Sequence, residues 1–238
     1  MVSGKQKLLQ PSCLAKSPRG PLALLYNFGC FLSMNTKISI FTEQNQKCII
    51  EGGKSGQEIV KVQKEDIEML DKKVVELLNQ QVNKEFYSAY LYLDFSNYYY
   101  DEGLDGFGNW YRIQVQEERD HAMLMLQYLQ NNGEKVVLEA IDKPSVEITD
   151  AKSVLEAGLK HEQYVTELIH TIYEAAHSVK DFRTMQFLDW FVKEQGEEEN
   201  NAETLVKKFE LFGNDPKSLY MLDNELGARV YSAPSLTL

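Results

Sequence analysis

Four stretches of this chain carry an apolar stripe at helical spacing, and each stripe holds one glutamate near its middle. The stripes read Val74, Leu78, Gln81, Glu85, Ser88, Tyr92; then Phe107, Tyr111, Gln114, Glu118, His121, Met125, Tyr128; then Leu155, Gly158, Glu162, Val165, Ile169, Ile172, Ala176; then Leu188, Val192, Gln195, Glu198, Ala202, Leu205, Phe209. Steps of three and four place each set on one face of an α-helix, the face that a soluble protein buries. A buried carboxylate without a partner is strongly destabilising. Four that converge repel one another and cannot all stay ionised. Two divalent cations at the centre remove both objections, because their charge balances Glu85, Glu118, Glu162 and Glu198.

The punctuation between the stripes sets the connectivity. The first helix runs over about 69–100 and ends in the Asp101-Glu102-Gly103 turn; the second runs over about 104–132, with Gly133 as its stop. Residues 134–149 form a long polar connection containing Pro144. The third helix starts near Asp150, a good N-cap, and ends near Ser178. Asp181 can cap the fourth, which reaches Gly213. Asp215-Pro216 opens a short fifth helix over about 216–226, closed by Gly227. Short links make neighbouring helices antiparallel, and the long link can run the length of a bundle. The expected fold is therefore all-α: a four-helix bundle with one long crossover and a short C-terminal fifth helix.

The second helix holds the sharpest local signal, Glu118-Arg119-Asp120-His121. Its i,i+3 spacing puts a carboxylate and an imidazole on one face, about one turn apart. By itself such a pair is most often a surface feature. Joined to glutamates from the other helices, it is the ligand arrangement of carboxylate-bridged di-iron and di-manganese bundles. Oxygen-rich ligands with one imidazole suit iron or manganese better than a soft metal. His161, His170 and His177 have no such setting and read as surface or packing residues.

Charge narrows the classes further. The 238 residues carry a net charge of −11, which disfavours a general nucleic-acid binder. Nine Lys/Arg and six Asp/Glu precede Met69, so that part is +3 and the remainder is −14. All three cysteines, Cys13, Cys30 and Cys48, also precede Met69. Disulfides, thiolate zinc sites, iron–sulfur clusters and a cysteine nucleophile are thus excluded from the acidic part. No apolar run reaches the ~18 residues of a membrane span.

Residues 1–68 read differently. The first acidic residue is Glu43, and Lys5, Lys7, Lys16 and Arg19 precede the apolar stretch from Leu22 to Leu32. Gly53-Lys54-Ser55 is a fragment of a phosphate loop whose leading glycine is replaced by Cys48, so Glu51–Gly56 reads as a loop. Without evident helical or strand periodicity, 1–68 is expected to be an unstructured extension and 69–238 the working domain. The extension is either an organellar transit peptide or an upstream mis-start. Met69-Leu70-Asp71-Lys72 makes a plausible start, and Lys64-Glu65-Asp66 can be encoded as a ribosome-binding site.

The stretch from Met69 to about Gly227 resembles the bacterial non-haem ferritins. The matching pieces are residues 83–92 (NKEFYSAYLY), 116–121 (QEERDH), His161-Glu162-Gln163 and residues 187–199 (FLDWFVKEQGEEE), which cover all four long helices in order. The resemblance implies a ferritin-like bundle with a ferroxidase centre. One iron would be held by Glu85, Glu118 and His121, and the second by Glu118, Glu162, Gln195 and Glu198, with Tyr92 and Trp190 beside them. A third iron site would use Glu117, Glu194, Glu197 and Glu198. It also implies Fe(II) as substrate, O2 or H2O2 as oxidant, a hollow shell of twenty-four chains storing ferric mineral, and a cytoplasmic location, or an organelle if the extension is a true transit peptide. Bacterioferritin-like relatives repeat Glu-x-x-His on the fourth helix and bind haem. Glu194-Gln195-Gly196-Glu197-Glu198 has no histidine, so no haem is expected.

Two other classes compete. A di-iron or di-manganese oxidase acting on an organic substrate would need an apolar pocket beside the metals, which Met125, Tyr128 and Ile169 could line. A metal-free structural bundle would leave the four glutamates without a purpose.

Overall fold

A computed structural model describes residues 37–41, 47–52, 58–63 and 69–238. The chain divides into two compact units after Ile67. In the first unit three strands, β1 (Lys37–Phe41), β2 (Lys47–Gly52) and β3 (Glu58–Gln63), form an antiparallel sheet in the order β1-β2-β3. This corrects the expectation of an unstructured extension without strand periodicity. Apolar residues alternate at Ile38/Ile40, Cys48/Ile50 and Val60/Val62, and the register pairs Ile38 with Ile50, Ile40 with Cys48, Ile50 with Val60 and Cys48 with Val62. Glu51 and Gly52, read as the start of a loop, end β2 instead. The remaining part of that loop, the basic leader and the Leu22–Leu32 stretch lie outside the described residues.

The second unit is all-α: α1 (Lys72–Asp101), α2 (Asp105–Asn131), α3 (Ala151–Ser178), α4 (Phe182–Phe212) and α5 (Pro216–Gly227). The expected four long helices, long crossover and short fifth helix are all present. α1 starts three residues after Met69 because Asp71 caps it, accepting from the Lys73 amide at 2.8 Å. Asp150 and Ser153 form a reciprocal capping box on α3. Asp181 caps α4, and Asp215 caps α5 ahead of Pro216. α2 has no cap of its own. Its Gly106 and Phe107 amides donate to Asp223 Oδ1 of α5 at 2.8 and 3.0 Å. Gly106 lets α5 come this close, since a Cβ there would stand 1.7 Å from the Asp223 carbonyl oxygen.

α1 packs along α2 and α3 along α4, with α1 also against α3 and α5 against α2 and α4. The crossover is held to α1 by two asparagines one turn apart. Asn79 accepts from Val137 N at 2.8 Å and donates to Lys135 O; Asn83 accepts from Glu139 N at 2.8 Å and donates to Val137 O. No Cα of α2 comes within 8 Å of one in α4, so that seam is closed by side chains. Two apolar clusters fill the bundle. One is built on Val74, Leu78, Met125, Ile169 and Leu188, the other on Phe95, Tyr99, Phe107, Leu155 and Leu205. Among the described residues no helix is long and apolar enough to cross a membrane.

Every residue of the first three stripes is buried. On α4, Val192 is 38% exposed and Phe191 takes the inward position at 1%. α4 is therefore rotated by one residue from the reading at that turn, because the larger ring fills the space against His121 and Phe187.

Candidate metal centre

Between the two apolar clusters lies a belt of buried polar side chains. Glu85 and Gln81 come from α1, Glu118, His121 and Gln114 from α2, Glu162 from α3, and Gln195 and Glu198 from α4. Helical spacing brings the within-helix partners together, and packing brings the four groups to one level.

Glu85, Glu118 and His121 each present a ligand atom, and these atoms all lie within 4.8 Å of one another. His121 Nδ1 is 3.6 Å from Glu118 Oε2, and its ring stands against those of Trp190 and Phe191. Gln81 donates to Glu85 Oε1 at 2.9 Å, which orients that carboxylate. Glu85 Oε2 is buried and accepts no hydrogen bond from the protein. An orphaned buried oxygen, a second buried carboxylate and an imidazole within reach make a donor set that fits a hard divalent cation.

The other half of the belt is held by donors. Tyr92 Oη and Gln195 Nε2, the latter at 3.2 Å, both donate to Glu162. Gln114 Nε2 donates to Glu198 Oε2 at 2.9 Å. Ser88 Oγ lies 2.8 Å from His161 Nε2, and the His161 ring meets the Tyr92 ring edge-on, so His161 is a packing residue behind Tyr92.

The electrostatics match this crowding. Burial, reinforced by Glu162 and Glu85, holds the Glu118 carboxyl well above the usual carboxylate range. Burial pushes Glu198 up to about 8, with Glu162 and Glu117 adding to it. Glu162 rises only to about 6, because its burial is opposed by the hydrogen bonds from Tyr92 and Gln195. Burial, then Glu162, raises the Tyr92 phenol well above its ordinary value, which keeps it a donor. Burial lowers His161 to about 4, with Lys84 adding to it, so that ring is neutral near pH 7. A cation in the belt relieves all the carboxylates at once.

The four residues of the implied third site are less closely drawn together. Glu117 pairs with Arg229 at 2.7 Å, and Glu194 Oε1 is 3.9 Å from His121 Nε2. Glu197 is exposed on α4, and Glu198 points into the belt. Glu199 is half-buried and accepts from Thr166 Oγ1 at 2.5 Å. Met125, Tyr128 and Ile169 belong to the packed core. The cavity beside the belt, lined by Tyr92, Tyr111, Gln114, Glu162 and Glu198, holds about 20 Å³, room for one water molecule. The orienting roles of Gln81 and Gln114 went unread although both lie on the stripes, since a glutamine at a core position says nothing about its partner. Arg229 carries no local signal at all.

A carboxylate-rich centre with one imidazole, buried in a four-helix bundle with one long crossover, defines a ferritin-like protein. Residues 75–212 match the family model described as the ferritin-like domain. The chain belongs to the ferritin family, whose function is iron storage. It is 39% identical over 155 residues to the bacterial non-heme ferritin of Campylobacter jejuni, covering 65% of this chain and 93% of that protein. With the bacterial non-heme ferritin of Staphylococcus epidermidis it shares 35% identity over 164 residues, 69% of this chain and 99% of the other. The solved open pore ferritin of the hyperthermophilic archaeon Archaeoglobus fulgidus is 43% identical with a TM-score of 0.67, covering 69% of this chain and 100% of its own.

Proposed function

We propose that the 69–238 unit is the subunit of a haem-free iron-storage protein that oxidises Fe(II) at a paired site in the bundle and stores the ferric product in a shell of twenty-four chains. Glu85, Glu118 and His121 take one ferrous ion; Glu118, shared, with Glu162, Gln195 and Glu198 takes the other. Each ferrous ion gives up one electron. O2 accepts the two electrons with two protons to give H2O2, or H2O2 accepts them with two protons to give two waters. The carboxylates stabilise the higher charge of the product. Tyr92 and Gln195 keep Glu162 oriented through their hydrogen bonds. Gln195, where a second histidine would bind more firmly, leaves a site of labile oxygen ligands from which Fe(III) can move on, toward Glu117, Glu194 and Glu197. The location in keeping with this activity is the cytoplasm.

The observation that carries this reading is the buried Glu85–Glu118–His121 set with its orphaned Glu85 oxygen. The test combines particle mass by light scattering, iron content, and initial oxidation rate in one preparation. The expected result is a particle of twenty-four chains, far more iron than the fixed sites can hold, and loss of rapid oxidation in Glu118→Ala and His121→Ala. A stable monomer or dimer sinks the shell, and parental initial rates in Glu118→Ala sink the site.

A further inference from the structure

The segment after α5 runs back over the α2–α4 seam. Asn109 Nδ2 of α2 donates to the Arg229 carbonyl at 3.1 Å, Tyr231 Oη donates to Asp120 of α2, and Trp190 Nε1 of α4 donates to Ser235 Oγ at 3.1 Å. Leu236 then packs against the apolar core. The segment thus bridges the two helices whose backbones stay apart.

Arg229 is its inward anchor. The guanidinium lies 4.0 Å over the Trp110 ring, donates to Gln114 Oε1 at 2.5 Å and to Glu117 Oε2 at 2.7 Å. Both members of the ion pair are largely withdrawn from water, with side-chain exposures of 19% and 17%. The same Gln114 donates its amide to Glu198. One cationic side chain therefore joins an outer carboxylate, Glu117, to an inner one, Glu198, through a single glutamine.

We propose that Arg229 is the resident counter-ion of the outer carboxylates, occupying Glu117 in competition with iron. This rests on the reading of the belt as an iron centre. A metal ion leaving the belt by the α2–α4 seam meets Glu117 only after displacing the guanidinium. An arginine stays charged at every physiological pH, so the exchange is driven by cation competition and not by protonation. Loading the outer carboxylates frees Arg229, loosens the strap, and uncovers the seam. Emptying them returns it.

The test is anaerobic calorimetric titration of the metal-free full chain with Zn2+, a redox-inert divalent probe, alongside hydrogen exchange. Arg229→Ala is expected to tighten the weaker, outer binding event by about tenfold, while the tight inner event stays within about twofold of the parent. Arg229→Lys, which keeps the charge, is expected to stay near the parent. Glu117→Gln/Arg229→Ala shows no tightening, because the contested ligand is gone. In the unaltered protein, filling the weak event with Zn2+ is expected to raise amide exchange over residues 229–236. Unchanged outer affinity in Arg229→Ala, equal tightening in Arg229→Lys, or undiminished protection of 229–236 on loading each overturns the proposal. Its failure is separable from that of the iron-centre reading, which falls if His121→Ala leaves the tight inner event intact.

Discussion

Replacing Glu198 by glutamine tests the electrostatics of the buried belt. In the folded chain burial, with repulsion from Glu162 and Glu117, raises this carboxyl from 4.5 to about 8. A group whose folded pKa is raised binds its proton more tightly in the folded chain than in the unfolded one. Its contribution is fully present below pH 4.5, falls as pH rises through the interval, and is lost above about 8. Each unit of that interval is worth about 1.4 kcal/mol, so the whole of it removes about 5 kcal/mol from the chelated parent. Glutamine has nearly the same shape, does not ionise, and can still accept the Gln114 amide through its carbonyl oxygen. In guanidinium unfolding of chelator-treated protein, parent and Glu198→Gln are expected to be similar at about pH 5, the variant gaining steadily to an advantage of about 5 kcal/mol at about pH 9. Saturating Zn2+ reverses the order, because only the parent offers an ionised ligand at position 198 in addition to the carboxylates both share. A stability difference between the two that is the same at both pH values would refute the reasoning, and so would an equal Zn2+ stabilisation of both.

Three further outcomes follow from particular contacts. Glu197→Ala removes an exposed carboxylate outside the buried belt and is expected to leave the first oxidative turnover intact while altering later ones, which repeated small additions of Fe(II) read out. Gly106→Ala places a Cβ 1.7 Å from the Asp223 carbonyl oxygen, so α5 must shift and its cap on α2 weakens; calorimetry is expected to show a loss of about 1–3 kcal/mol. Asn79→Ala removes two of the hydrogen bonds that hold the crossover, those to the Lys135 carbonyl and from the Val137 amide; faster amide exchange over residues 135–137 is the expected signature, at a stability loss of about 1 kcal/mol.

Much of the bundle and the inner half of its centre was legible in the residues alone, because what specifies them is local. A helix repeats every 3.6 residues, so Glu118 and His121 share a face whatever surrounds them, and a glutamate amid apolar neighbours marks its own burial. The caps at Asp150, Asp181 and Asp215 are local for the same reason, each side chain bonding an amide three residues on. The strands at 37–63 were legible in principle, through apolar residues at every second position. Their short length and the scattered lysines hid the alternation until pairing set it in register.

Tertiary structure decided whatever depends on how one helix is turned against another. Phe191 and Val192 are adjacent and both apolar, and only packing against His121 and Phe187 chooses which goes inside. The bonds from Gln114 to Glu198, Tyr92 to Glu162, Asp223 to the start of α2, and Arg229 to Glu117 join residues 70 to 117 positions apart. No period in the chain encodes such a pairing. Each follows from the rotation and height of two elements that a third holds in place, so the candidate ligands were written in the sequence and their orienting partners only in the assembled bundle.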